Sequence, residues 1–482
     1  MTARIWIDVE DLFIYAALAH RPSGIPRLEF ELCRALVALL ESEDRVFFVR
    51  HDEQQQSLVE VTWEEVELLF EEMSGGSDLQ TNGKLDMPPN ESSAPQIIVS
   101  ANTPSVFARP IRAARTIFGM LPSDLQKLVR FVSTPARALA RSLLHRWRSR
   151  TRAPAVPLAP IPRDPIATPD FAAGDILAVF GLPWISSDYH SYDRKAVCEK
   201  GLRFAVLIYD LIPLRRHDWF DDGIIKSFQA WFEDAIQLAD VILTISAATA
   251  ADVSAYARKA GLALRTVPTP IPIGTGFTTR RNSVPVRSTR LPPPDTYALF
   301  VSTIEVRKNH ALLVRVWQLL CDNMPPESVP TLVFVGRVGW LVSDLMQQLR
   351  NSNFLHGKIV HIEGLADEEL EALYDGCLFT LYPSFYEGWG LPVTESHSFG
   401  RPCIASKATS LPEAGGPLAR YIDPDNATGA YRVIRETIED RAGLRKWRDE
   451  VQRDFRPVRW RQSAEAVVRE FDLAAIDLRA AV

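Results

Sequence analysis

The sequence predicts an α/β chain of two Rossmann-like, doubly wound domains facing a cleft, and three observations carry that expectation. Short apolar runs alternate with longer helical patterns over most of the chain, the mark of parallel α/β sheets. A length of 482 residues exceeds what one core holds, so two or three domains are expected. A polar, basic stretch at 278–295, closing in Leu-Pro-Pro-Pro-Asp, divides the runs into two sets and reads as a linker.

In order along the chain, the first set of strands is expected at 4–9, 45–50, 175–180, 202–209 and 240–246. The second is expected at 297–303, 331–336, 358–362, 377–382 and 402–406. The domains follow as 1–280, 281–455 and a last helix at 456–482. Both would place their loops at the carboxyl ends of strands, on either side of the cleft. A hydrophobic content of 46% is ample for two cores. The net charge of −6 and pI near 5.9 argue against wholesale nucleic-acid binding. Five scattered cysteines have no spacing suited to zinc or redox chemistry. The start, MTARIWIDVED, has acidic residues where a signal peptide needs an apolar core, and no apolar run is long enough to span a membrane. A cytoplasmic protein is expected.

A region at about 53–169 interrupts the first domain and closes in the proline-rich TRAPAVPLAPIPRDP. Within it, 109–152 holds eleven Lys or Arg against one acid, Asp124. Ile117, Phe118, Leu121, Leu125, Leu128, Val129 and Val132 recur at helical spacing, and Leu139, Leu143, Leu144 and Trp147 form a second apolar stripe. Two readings stand: basic amphipathic helices on the anionic inner face of a membrane, or helices packed on the first domain with solvated arginines.

Chemistry concentrates in YPSFYEGWGLPVTES at 382–396. Glu387 and Glu395 lie eight positions apart around Gly388-Trp389-Gly390 and a helix opening at Leu391-Pro392. Glycines there permit positive φ and close approach of a ligand, and the free amides favour an anionic or polyhydroxyl ligand. Glu387 is expected on the loop and Glu395 in the first helical turn, where it also suits the helix dipole. Arg307 and Lys308 precede a helix with Asn309 as its N-cap. Adjacent cations oppose the dipole there, and a bound diphosphate would explain them, as would a solvated loop tip. In the first domain, Gly24 opens a helix as a weak glycine motif, with Pro26 where a second glycine might stand. Asp210 ends a strand, either orienting an acceptor hydroxyl or forming a turn.

Together these segments resemble the retaining glycosyltransferases of family 4, within the group 1 glycosyl transferases, which have the GT-B fold. The resemblance rests on IDVEDL at 7–12, SGIPR at 23–27, YDLIPL at 209–214, TIEVRKN at 303–309, GRVGW at 336–340 and, above all, SFYEGWGLPVTES with its Glu, seven residues, Glu spacing. It covers most of the chain outside the interruption and is strongest at 297–423. It implies that Arg307 and Lys308 hold a donor diphosphate, Glu387 the transferred sugar and Glu395 the ribose. Backbone amides of Gly388, Trp389, Gly390 and Leu391 would meet sugar and phosphate, with Asp210 on the acceptor side and the last helix crossing back to the first domain. Two departures are visible. Tyr209 stands where the family often has histidine, and Ser302-Thr303 where many members have Gly-Arg, which leaves Arg307 more of the phosphate work.

The resemblance further implies transfer of a hexose from a nucleotide-diphosphate sugar, with no metal and no cofactor, to a glycan or polyprenyl-linked glycan in bacterial surface polysaccharide synthesis. Asp423-Pro424-Asp425 reads as a turn rather than a metal triplet. A catalytically degenerate sugar-nucleotide scaffold and a sugar-nucleotide epimerase of related fold are the competing readings. Retention of both glutamates favours catalysis over the first, and the second lacks an evident cleft base.

Overall fold

A computed structural model describes residues 3–18, 24–52, 56–75, 167–185, 189–276 and 291–480. The basic segment 109–152 lies outside the described residues, so the membrane and packing readings of it both stand untouched.

The first domain carries strands β1 (Ile5–Asp8), β2 (Val46–Asp52), β3 (Ser57–Val61), β4 (Ile176–Val179), β5 (Arg203–Ile208), β6 (Val241–Thr244) and β7 (Thr269–Pro270). They form one sheet in the order β3-β2-β1-β4-β5-β6-β7, parallel except for β2 with β3. The second domain carries β8 (Tyr297–Val301), β9 (Thr331–Val335), β10 (Ile359–Ile362), β11 (Thr380–Tyr382), β12 (Cys403–Ser406) and β13 (Arg420–Ile422). Its all-parallel order, β10-β9-β8-β11-β12-β13, reverses direction beside β8 and β11, where open α/β sheets bind ligands.

All ten expected strands are present, nine of them shortened at one or both ends and β2 running two residues further to Asp52, because central parallel strands are apolar on both faces. Every residue of β1, β4, β5 and β6 is buried. β3 lies inside the stretch read as an interruption. It pairs along the edge of the sheet through Leu58, Val59 and Val61, and helix Trp63–Gly75 follows it.

The last helix, Trp460–Ala480, packs against helix Ile25–Leu40 of the first domain and puts Ala464, Val467 and Phe471 into that domain's core. Arg203 Nη1 donates to Phe471 O at 3.3 Å. Two stretches between the domains run together, with Thr275 N donating to Val458 O at 2.8 Å. A Cβ on Gly274 would lie 2.2 Å from the Trp460 ring, so glycine is required for that contact. Among the described residues no helix is long and apolar enough to cross a membrane.

Candidate active site

β11 ends at Tyr382, a loop carries residues 383–390, and helix Leu391–Ser398 begins after Gly390, whose φ of 131° no bulky residue adopts comfortably. Gly388 serves differently from the positive-φ position expected. A Cβ there would sit 2.1 Å from Tyr209 O, so glycine lets the backbones of the two domains touch. Thr249 Oγ1 donates to Tyr209 O at 3.1 Å beside this contact. The loop is also tied from β12's side: Ser410 Oγ donates to Glu387 O at 2.9 Å and to Trp389 O at 2.7 Å, and Glu387 N donates to Thr409 Oγ1 at 3.0 Å.

The cations and Glu387 converge. Lys308 Nζ lies 2.7 Å from Glu387 Oε1 and donates to the Tyr382 hydroxyl at 2.9 Å. Arg307 ion-pairs with the other Glu387 oxygen, donates to Tyr386 O at 3.1 Å, and meets Glu305 Oε1 at 2.8 Å. Burial alone would raise the Glu387 carboxyl, yet Arg307 and Lys308 hold it down at about 2. Burial and the neighbouring Arg307 push Lys308 below its ordinary value. Sequence reading sent the cations to a diphosphate and Glu387 to the sugar. In the fold they form one charged cluster at the carboxyl ends of β8 and β11.

Asp210 is partly buried at the end of β5 and faces this cluster. Burial raises its carboxyl, while Arg307, the Ile212 amide and Lys308 pull it down and Glu387 pushes it up. Its Oδ1 also accepts from Ile212 N at 2.9 Å, so the turn role and the cleft-facing position coexist. Gly24, with φ of 62°, precedes helix Ile25–Leu40, and a Cβ there would meet no atom of the described residues within 4 Å. One turn on, Arg27 reaches across to Asp367 at 3.9 Å and lowers the nearby Glu395 carboxyl. Glu395 accepts from the Tyr374 hydroxyl at 2.8 Å, and burial raises it overall.

Three local expectations change. Glu395 is the fifth residue of its helix, one turn later than expected, because the helix opens at Leu391. Asn309 occupies the N-cap position at φ 59° but caps nothing: its amide donates to Pro424 O at 2.9 Å and Pro383 O at 3.2 Å. Tyr209 does not stand in for a cleft histidine; its hydroxyl donates to Phe180 O at 2.5 Å inside the first core. Trp389 and Leu391 pack against the first core, and Trp389 against the second as well, so their side chains wedge the domains while their backbone faces the turn. Asp423 Oδ1 accepts from Asp425 N at 3.0 Å, the structural turn expected.

Sequence reading missed Glu305, Thr409, Ser410, Arg27, Asp252 and Glu413. Tyr386 donates its hydroxyl to Asp252 of the first domain. Glu413 of the second domain accepts from Ala247 N at 2.7 Å and Ala248 N at 2.8 Å, at the start of helix Ala247–Ala260. Arg27 and Glu305 had a sequence signal, since one closes the SGIPR motif and the other lies within TIEVRKN. The IDVEDL acids prove to be anchors: Asp8 meets His51 Nε2 at 2.7 Å, and Asp11 accepts from Leu182 N at 2.7 Å. Asp8, His51 and Asp193 are the group of possible metal ligands found among the described residues, and Asp8 and His51 already satisfy each other directly.

Residues 286–454 match the family described as glycosyl transferases group 1. A 144-residue stretch is 36% identical to the O-antigen chain mannosyltransferase B of Escherichia coli, covering 30% of this chain and 37% of that protein. The serotype-specific mannosyltransferase WbdA of Escherichia coli is 26% identical over 284 residues, 56% of this chain and 33% of that protein. The chain thus spans about a third of the length of these curated relatives. Among solved structures, Anabaena HepE in complex with UDP and glucose superimposes with a TM-score of 0.54 at 15% identity, over 98% of this chain and 99% of that one. A glycosyltransferase from Rickettsia africae gives 0.51 at 11% identity, with 98% and 99% covered. The fold is GT-B, and the match to the group 1 glycosyl transferases is to residues 286–454, in the second domain.

Proposed function

We propose that the chain is a retaining glycosyltransferase that moves a hexose, mannose by its relatives' example, from a nucleotide-diphosphate sugar to a glycan acceptor in bacterial surface polysaccharide synthesis. The observation that carries this reading is the convergence of Arg307, Lys308 and Glu387 on one switch point, opposite Asp210. Breaking the anomeric bond creates a departing diphosphate and oxocarbenium character. Fixed cations and helix amides around that anion lower the barrier without reorganising.

On this reading Arg307 and Lys308 exchange part of their hold on Glu387 for the diphosphate oxygens, the fork of Arg307 taking two and Lys308 acting as a compact charge. Glu387, so released, accepts hydroxyls of the transferred sugar, and Glu395 with Tyr374 serves the ribose. Backbone amides at 388–391 line the turn, and Gly24 lets the first domain come close. Asp210 orients the acceptor hydroxyl. The acceptor attacks from the leaving group's own face, and the departing phosphate oxygen takes its proton, which keeps the anomeric configuration. The two cations supply the charge a divalent ion would otherwise bring, so turnover is expected to survive EDTA. A polyprenyl-linked acceptor at the inner membrane face suits the basic segment 109–152.

The test is release of nucleoside diphosphate from GDP-mannose, UDP-glucose and dTDP-sugars, with and without α-linked manno-oligosaccharides. Turnover should appear with one donor and fall at least a hundredfold in Glu387→Ala while donor affinity stays within a few fold. Tight donor binding with no turnover on any acceptor would instead mark a sugar-nucleotide scaffold, and no donor binding would end the reading.

A further inference from the structure

Beside the charged cluster a cavity opens, about 500 Å³ in volume, between residues 218–221 and Ile224 of the first domain and Trp340 and Leu341 of the second. That volume lies within the roughly 300–1,000 Å³ typical of ligand clefts. Its walls keep large apolar side chains in water: Trp340 is 45% exposed, Leu341 60% and Ile224 48%. Scattered apolar residues need no explanation, but contiguous ones lining a cleft do.

The cavity is built, and it is joined to the cluster. Trp340 is pinned across the domains by its indole N–H, which donates to Trp219 O at 3.0 Å, so its ring is fixed while its surface stays open. Leu341 holds φ at 58°, a costly conformation for a bulky residue, in the same turn. Trp219 is buried, with Arg216 over its ring at 3.6 Å and Phe385 6.2 Å away. Phe385 N in turn donates to Arg307 O at 3.0 Å, so the cavity floor runs into the backbone that carries the cations. Asp218 and Asp221 lie at the rim. Each has a partner, Arg216 and Gly223 N respectively, and a carboxylate keeps further lone pairs for hydroxyl donors.

A fixed, half-exposed indole beside carboxylates matches a pyranose, which offers an apolar C–H face and a ring of hydroxyls. A prenyl chain would leave the carboxylates without purpose. Resting on the glycosyltransferase reading above, we propose that this cavity is an acceptor subsite: it holds a hexopyranose of the acceptor glycan on the face of Trp340, with Asp218 and Asp221 accepting its hydroxyls.

The experiment titrates α-linked mannotriose into the full chain labelled with ¹⁵N at tryptophan and follows the indole N–H signals, with Trp340 assigned through Trp340→Phe. The Trp340 signal should move on binding. Trp340→Ala and, from the opposite wall, Ile224→Glu should each weaken mannotriose at least tenfold, while Trp340→Phe stays within threefold. Equal affinity in all three variants would overturn the proposal, as would a Trp340 signal that answers farnesyl phosphate and ignores mannotriose. GDP and UDP binding are measured alongside. Their loss would bring down the donor reading, whereas mannotriose binding at Trp340 would still uphold the subsite.

Discussion

At Glu387, burial and pairing pull in opposite directions, and pairing wins. A buried carboxylate would ordinarily hold its proton, but Arg307 and Lys308 keep this one ionised down to about 2, against an ordinary 4.5. A folded-state pKa below the unfolded one contributes stability that is full above about 4.5 and is lost as pH falls toward 2. The contribution at neutral pH is on the order of 3 kcal/mol. Glu387→Gln should therefore be less stable than the parent by about that amount in urea unfolding at pH 7, and the gap should narrow steadily from pH 4.5 downward. A gap independent of pH would mean that the cluster's charge contributes nothing to folding. The identities of these three residues were legible because cations before a helix and an acid beside a glycine turn have few structural uses. Their mutual pairing was not, since Arg307 and Glu387 are joined only by the topology that sets β8 beside β11. Gly388 shows the same limit: its sequence permits positive φ, but only the fold reveals that Tyr209 O occupies the space a side chain would need.

Among the elements, helix Ala247–Ala260 is where the domains hold each other. Its N-terminus carries the usual Ser246 cap, which accepts from Thr249 N, and a second acceptor from outside, the Glu413 carboxylate on Ala247 and Ala248 N–H. A carboxylate at a helix start gains from both the free amides and the dipole. Asp252, further along the same helix, accepts from Tyr386 in the loop before Glu387. Glu413→Ala should thus loosen domain closure while sparing each core. We expect turnover to fall several-fold and donor affinity modestly, with a loss of about 1 kcal/mol in urea unfolding and a larger radius of gyration by solution scattering. Unchanged turnover and unchanged radius would show that the contact does not hold the domains together. The ten expected strands were readable because each lies in a largely apolar run. β7 and β13 escaped because two and three residues are too few to display a period, and β3 because Glu60 breaks its apolar run within a stretch read as an interruption.

For the molecule as a whole, the last helix makes the two domains depend on one another in folding. Helix Trp460–Ala480 follows the second domain in sequence yet completes the first domain's core, with Ala464, Val467 and Phe471 fully buried there. Burying a Val or Phe side chain stabilises by about 1.5–3 kcal/mol each, so those two alone contribute on the order of 5 kcal/mol. That is comparable with the whole stability of a domain, about 5–15 kcal/mol. The helix also carries Asp472, which pairs with Arg45 at 3.3 Å, and the backbone carbonyl that Arg203 reaches. Removing residues 457–482 should therefore weaken the first domain and leave the second at its parent stability, because among the described residues the second core ends at Val451 and Phe455 and takes nothing from that helix. Limited proteolysis of the truncated chain should cut first within 3–276 while a fragment covering 291–456 persists. Urea unfolding should split into two transitions, the earlier one belonging to the first domain. A truncated chain that unfolds in one transition at the parent's midpoint would show that the first domain's core closes without the returning helix. Activity offers an independent reading of the same dependence: Gly388 and Tyr209 meet only if both domains are folded, so turnover should vanish with the first transition rather than the second.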